Sequence, residues 1–250
     1  MLHLVRHGET LSYDDDAGLT ELGLRQAEHR GRALSSLVRD GARIGVVYAP
    51  TERARSTAGQ VSHALLTAAT ESGKRVEMAA GYPDEGFGNV SLWVDGKAME
   101  PTQTRRLHLA LVETGGPEPG WVTEASRFWA AHTATGDAMT FWLTTPLLWH
   151  EPPGAVVYRI LQAARRHAEA AVRPDHLLVA THSGCMRALV TWAAGVDLGE
   201  PENAEDVTLQ VDGDLGSVEF RQNHWQVRFP TEPPPPWFQP VRTPAGQPPS

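Results

Sequence analysis

The chain has 250 residues, enough for one large domain or two small ones around a substantial core. Hydrophobic residues make up 41% and charged residues 21%, which excludes wholesale disorder and collagen-like structure. Lys plus Arg is 22 against Asp plus Glu 30, a net charge of -8 that argues against nucleic acid as the main partner. A small anionic substrate stays open, because a few local arginines outvote the global field.

The single cysteine, Cys185, excludes an intrachain disulfide and a multi-cysteine zinc site. No run approaches the roughly 18 apolar residues of a spanning helix. Met1 to Val5 meets Arg6 and His7 at once, without the long apolar region of a secretion signal. A cytoplasmic protein with no membrane partner is the expectation.

In chain order, Met1 to Val5 reads as a short buried strand ending at Arg6-His7-Gly8. From Thr20, a plausible N-cap, Leu22, Ala27, Leu34 and Leu37-Val38 can share one helical face, with Gly41 after the end. Ile44 to Tyr48 is a second strand, stopped by Pro50. Thr51 onward, with Ala54, Ala58, Val61 and Leu65-Leu66, is a second helix, and Val76 to Ala79 a third strand. Residues 84 to 152 are rich in Trp, Gly, Pro and Thr and lack a long period. They predict an insertion over one end of the sheet, with short helices around Pro101 to Val112 and Glu124 to Ala131. Regularity returns with a helix at Ala155 to Val172, a strand at His176 to Ala180 and a helix at Cys185 to Ala194. Strands follow at Val207 to Val211, Ser217 to Arg221 and Trp225 to Phe229, with turn signals at Asp212-Gly213 and Asp214-Leu215-Gly216. Residues 230 to 250 form a proline-rich tail, extended or disordered.

This order predicts an α/β protein, a three-layer sandwich with a mostly parallel central sheet, helices on both faces and an inserted cap. Residues 1–229 form one domain, with the cap at about 84–152.

Two strands each deliver a histidine at the same end: Leu4-Val5 leads into Arg6-His7-Gly8, and Val179-Ala180 into Thr181-His182-Ser183-Gly184. In open α/β sheets that carboxyl end is where ligands bind. Gly8 is expected to let the backbone turn closely past a ligand. The second strand delivers Arg53 in the first turn of a helix. Each feature alone is weak, and a lone strand-end histidine is more often structural; their joint occurrence is the signal.

Those segments resemble the histidine phosphatase superfamily, which includes the cofactor-dependent phosphoglycerate mutases and many phosphomonoesterases. Leu4 to Thr10 matches its Arg-His-Gly signature, and Gly18 to Ala27 the helix entry that follows. Tyr48-Ala49-Pro50 through Thr57-Ala58 matches the segment supplying a phosphate-binding arginine, and Val179 to Gly184, on through Arg187-Ala188-Leu189, the second-histidine segment. The resemblance covers roughly residues 1 to 85 and 154 to 195. It implies that His7 is the nucleophile and becomes phosphohistidine, and that Arg6, Arg53 and His182 surround the phosphoryl oxygens, with His182 protonated as a further donor. No metal or other cofactor is needed in that scheme.

The resemblance also implies a carboxylic acid that protonates the leaving oxygen, placed before a Phe-Gly pair. Here the segment is Pro83-Asp84-Glu85-Gly86-Phe87-Gly88. Glu85 matches by residue type, whereas counting the usual interval lands on Asp84; Glu85 is preferred. Further departures are Tyr13 in place of an Asn that touches phosphate, a short loop at Asp14 to Gly18 read as solvated, and Glu151-Pro152-Pro153-Gly154 where Gly-Glu-Ser often precedes the helix of Arg159. They weaken a mutase reading and favour hydrolysis.

The expected function is therefore metal-independent hydrolysis of a small phosphorylated metabolite, a phosphomonoester, through phosphohistidine. Phosphoglycerate-mutase-type phosphoryl transfer, a phosphoprotein phosphatase and a catalytically inactive phospho-ligand-binding member are the alternatives. The cap tryptophans Trp93, Trp121, Trp129, Trp142 and Trp149 are mostly packing, with room for one to line the substrate pocket. His108, His132 and His150 are expected to be surface or structural, and Cys185 a small buried hydrophobe.

Overall fold

The computed structural model describes residues 1–12, 16–115 and 119–239, and the backbone of 241–242. Tyr13, Asp14 and Asp15, and the last prolines of the tail, lie outside the described residues.

Among the described residues, eleven strands and seven helices precede residue 230. They are β1 (Leu2–Arg6), α1 (Glu21–Ser35), β2 (Ala42–Tyr48), α2 (Glu52–Glu71), β3 (Val76–Met78), β4 (Tyr82–Pro83), β5 (Leu92–Val94), β6 (Lys97–Met99), α3 (Pro101–Thr114), α4 (Gly120–Thr135), α5 (Ala138–Thr144), α6 (Pro153–Ala168), β7 (His176–Thr181), α7 (Ser183–Ala194), β8 (Val196–Asp197), β9 (Asp206–Asp212), β10 (Leu215–Phe220) and β11 (Asn223–Arg228). The main sheet runs β11-β10-β9-β1-β7-β2-β3, with β4 also paired to β2. Pairings among β1, β7, β2, β3 and β4 are parallel, and β9, β10 and β11 add an antiparallel edge. This is the α/β sandwich with a mixed, mostly parallel sheet that the element order predicts.

The central strands are apolar on both sides because both sides are covered. Leu4, Val47 and Val179 face the core shared with α6 and α7. Val5, Val46 and Leu178 face the core shared with α1 and α2. Neighbours in sequence thus serve opposite layers, the period of two that an extended strand imposes.

On α1 the buried face differs from the predicted one. Gly23, Ala27, Gly31 and Leu34 are buried, whereas Leu22 is 43% exposed and Leu37 57%. The reason lies in close packing: a Cβ on Gly31 would collide with the Val61 carbonyl and Ala64 of α2, so small residues hold the seam and the leucines turn outward. Thr20 caps the helix as predicted, its Oγ1 accepting from Gly23 N–H at 3.0 Å.

Between β4 and α6, residues 85–152 carry the β5–β6 hairpin and α3, α4 and α5. Leu92, Val94, Trp121, Val122 and Ala125 make a small core of their own there. Periodicity alone passed over α5, which is only seven residues long and is started by Asp137, whose Oδ1 accepts from Thr140 N–H at 3.0 Å. The turn between β10 and β11 is another correction. Arg221 closes no strand; it and Gln222 sit at φ 48° and 67°, the left-handed pair of a tight hairpin usually marked by Asn or Gly.

Residues 230–239 run back over the molecule. Pro236 accepts from Gly154 N–H at 3.1 Å, Phe238 N–H donates to the Leu143 carbonyl at 3.0 Å, and the Phe238 ring joins the core of α6 and α7. This part of the tail is extended and docked on its own chain. Among the described residues no helix is long and apolar enough to cross a membrane.

Candidate active site

Parallel strands in register bring their carboxyl ends level. Arg6 stands opposite Thr181, and His7 N–H donates to the Thr181 carbonyl at 2.9 Å. Tyr48 stands opposite Ala180, so Thr51, which caps α2, arrives beside the same edge. Arg6, His7, Arg53 and His182 therefore converge on one wall of a cavity of about 750 Å³. That is within the size range of small-molecule sites. Helices α3, α4 and α5 supply the facing wall through Thr102, Arg105, Trp129, His132 and Met139.

His7 is 3% exposed. Its Nδ1 lies 2.8 Å from the carbonyl of Gly8, which only accepts, so Nδ1 carries the ring proton and Nε2 the lone pair. Burial, reinforced by the Arg53 charge, lowers its pKa to about 3, and the ring is neutral at physiological pH. Asn203 Nδ2 donates to the His7 carbonyl at 3.0 Å and fixes the backbone.

Gly8 also has a packing role. A Cβ there would stand 2.5 Å from the Gly23 carbonyl oxygen, so the residue lets the post-β1 loop press against the first turn of α1. Gly8 N–H donates to Thr57 Oγ1 at 3.0 Å, tying the loop to α2 as well.

His182 forms the edge-to-face partner of His7, with ring centroids 5.3 Å apart. Its Nδ1 is 3.4 Å from Arg53 Nη2, and arginine only donates, so Nδ1 accepts and the proton is on Nε2, 3.5 Å from Thr51 Oγ1. Burial first, then the Arg53 charge and His7, hold its pKa well below the ordinary value. In this structure His182 is thus an acceptor toward Arg53, whereas the sequence reading has it as a protonated donor around a phosphoryl group. His182 also precedes α7, whose N-terminal residues Ser183 and Gly184 line the cavity, an end that favours anions.

Arg53 is 1% exposed and held from two sides. Its Nη1 donates to Asp16 Oδ1 at 2.8 Å, and its Nη2 to Glu100 Oε1. Asp16 does not belong to a solvated loop: its other oxygen accepts from Glu52 N–H at 2.6 Å, at the start of α2. Arg6 donates to the Pro201 carbonyl at 2.5 Å and pairs with Glu200 at 3.1 Å.

The two acid candidates lie away from this group. Asp84 Oδ2 is 2.8 Å from His167 Nε2, and its Oδ1 accepts from Gly86 N–H at 2.8 Å and faces Arg166 at 3.4 Å. Glu85 is exposed on the next residue. Neither lines the cavity. Their backbone is clamped: Arg159 Nη1 donates to the carbonyls of Glu85, Gly86 and Gly88, Thr181 Oγ1 to Phe87, and Cys185 Sγ to Gly88. Glu151, at the position of the missing Gly-Glu-Ser, pairs with both Nε and Nη2 of Arg159 at 2.9 Å. Burial raises the Cys185 pKa to about 11, which makes it an inert packing residue as predicted.

Among the tryptophans only Trp129 lines the cavity, with the Arg105 guanidinium 4.9 Å over its ring. Trp121 and Trp142 are buried packing, and Trp93 and Trp149 are substantially exposed. His108 bonds to Ser126 and His150 to Glu124, structural positions both, whereas His132 borders the cavity. Sequence reasoning missed Asn89, Glu100, Glu200 and Asn203. A glutamate before Pro101 marks a helix start, but nothing in the sequence ties it to Arg53.

Residues 2–84 match the profile of the Histidine phosphatase superfamily (branch 1). None of the curated proteins matches the chain. Solved structures similar to it include an open-reading-frame product of Mycobacterium tuberculosis, 16% identical over 88% of this chain and 95% of that one, with a TM-score of 0.48. Another is a mycobacterial glucosyl-3-phosphoglycerate phosphatase, 18% identical over 83% and 91%, with a TM-score of 0.47. The matched stretch, residues 2–84, carries Arg6, His7 and Arg53, and His182 lies outside it.

Proposed function

We propose that the protein is a phosphatase that hydrolyses a small phosphomonoester through a phosphohistidine on His7. The observation that carries this reading is the hydrogen bond from His7 Nδ1 to Gly8, which makes Nε2 the nucleophilic nitrogen in a buried ring beside two arginines. Covalent catalysis of this kind splits one hard transfer into two easier ones.

Arg6, Arg53, His182 and the start of α7 are the donors for the phosphoryl oxygens. Charge spreads over those oxygens in the transition state, so fixed donors there lower the barrier. A phosphoryl dianion beside His182 favours its charged form and turns it from acceptor to donor. Glu200 and Glu202 line the cavity, and Asp16 and Glu100 sit on Arg53. This balance of charge favours a substrate with few negative groups beyond its phosphate.

The test is phosphate release from a panel of phosphomonoesters with metal chelated. The wild type is expected to turn over at least one member, and His7→Ala to lose about 1,000-fold or more. Equal turnover by His7→Ala overturns the reading.

A further inference from the structure

The leaving oxygen of a phosphomonoester needs a proton, and the Asp84 carboxyl is bonded to His167, Gly86 and Arg166 rather than to any of the phosphate donors.

A different carboxyl touches one of the phosphate donors, Arg53. Glu100 follows β6 and immediately precedes Pro101, so the fold carries it in from the cap. Its side chain is only 9% exposed. Oε1 accepts from Arg53 Nη2 and from Asn89 Nδ2 at 2.6 Å, and Oε2 accepts from Thr102 Oγ1 at 2.6 Å. Asn89 is rigid because it ends the loop that Arg159 and Cys185 clamp. Glu100 and His182 meet the same nitrogen of Arg53, Nη2, while Asp16 occupies the other.

We propose that Glu100 is the proton donor to the leaving oxygen and then the base for the attacking water. This rests on the phosphohistidine reading above. As the His7 Nε2–P bond forms, the ester P–O bond breaks and its electron pair goes to the leaving oxygen. That oxygen takes the Glu100 proton, the alcohol departs, and Glu100 is left as carboxylate. A water oxygen then bonds to phosphorus while Nε2–P breaks, and Glu100 takes the water's proton. Neutral His7, protonated Glu100 and inorganic phosphate result.

Glu100 takes its first proton from solvent as substrate exchanges for it at Arg53, and the attacking water restores that proton in each later turnover. Three donors stabilise the carboxylate of Glu100 in the structure. Phosphoryl oxygens compete for Nη2, so substrate removes the cation from Glu100 and puts an anion beside it. Both changes raise its affinity for a proton. Asn89 and Thr102 keep the group aimed.

A merely blocking Glu100, one that competes with phosphate for Arg53, predicts different behaviour, and leaving groups separate the two. The experiment compares wild type, Glu100→Gln and Glu100→Asp in single turnovers on p-nitrophenyl phosphate, whose phenolate departs without a proton, and on an alkyl phosphate. For Glu100→Gln the p-nitrophenol burst is expected within about threefold of wild type, followed by slow steady turnover. Alkyl phosphate cleavage is expected to fall about 100-fold or more, with part of the rate recovered in Glu100→Asp. Equal losses on both substrates, no loss on either, or faster turnover on both overturns the proposal. The His7→Ala control separates the two readings: a burst that survives in it overturns the phosphohistidine itself.

Discussion

Asp16 grips Arg53 from the side away from His182: one carboxylate oxygen accepts from Nη1 at 2.8 Å, the other from the Glu52 N–H at 2.6 Å. A residue held at φ 48° thus orients the guanidinium and anchors the start of α2 together. The geometry turns a long flexible side chain into a fixed donor pair at the cavity wall.

Asp16→Ala frees that fork while removing a negative charge near the site. Turnover is expected to fall about ten- to a hundredfold, because small misplacement of a transition-state donor is costly. Inhibition by inorganic phosphate should be unchanged or tighter. Steady-state kinetics with phosphate as competitor reads both; weaker phosphate binding with unchanged kcat counts against the role given to Asp16.

Arg187 is the buried fastener of the cap. From α7 it donates to Asp197 at 2.8 and 2.6 Å and to Asp137, the N-cap of α5, at 2.8 Å. Those hydrogen bonds raise the Arg187 pKa and lower that of Asp137. Removing one partner leaves a charge short of its counterion, so Asp197→Ala is expected to cost about 3–5 kcal/mol by urea unfolding. Asp137 is less buried and should cost less. A loss under 1 kcal/mol for Asp197→Ala contradicts the assignment.

Acid sensitivity follows from the histidines. Burial lowers the pKa of both His3 and His7 to about 3, against about 6.5 in the unfolded chain. Between those values the unfolded state binds more protons, so stability is full above pH 6.5 and is lost as pH falls. At 1.36 kcal/mol per pH unit, each contributes about 2 kcal/mol of loss by pH 5. His3→Gln, far from the cavity, should remove that amount from the difference between pH 8 and pH 5. An unchanged pH slope in urea midpoints refutes the linkage.

Trp129 lines the cavity beside Phe128. Trp129→Ala is expected to raise KM for the best substrate of the panel several-fold and leave inhibition by inorganic phosphate alone. Equal weakening of both shows that the ring supports the phosphate end instead.

Much of this was legible in the sequence, and the exceptions have physical reasons. Strands β1, β2 and β7 are apolar runs buried on both faces, and each ends in a polar group that strand geometry places at one edge. Arg6, His7, Arg53 and His182 could be read together for that reason. Leu22 and Leu37 misled because a glycine seam, not a leucine stripe, packs α1 on α2. The place of the Asp84-Glu85 segment depends on neighbours 70 or more residues away: Arg159 clamps the Glu85 carbonyl, and Arg166 and His167 meet the Asp84 carboxyl. Glu100 was invisible because its partners Arg53, Asn89 and Thr102 converge only when the cap folds over the sheet.

The central claim is a phosphoryl group on His7, and the most direct measurement is to quench a turnover in alkali and locate the phosphoryl group by mass spectrometry. The account predicts one phosphoryl group per chain on His7, absent in His7→Ala. A phosphoryl group on another residue, or phosphate release with no phosphoenzyme at any time and full activity in His7→Ala, contradicts it.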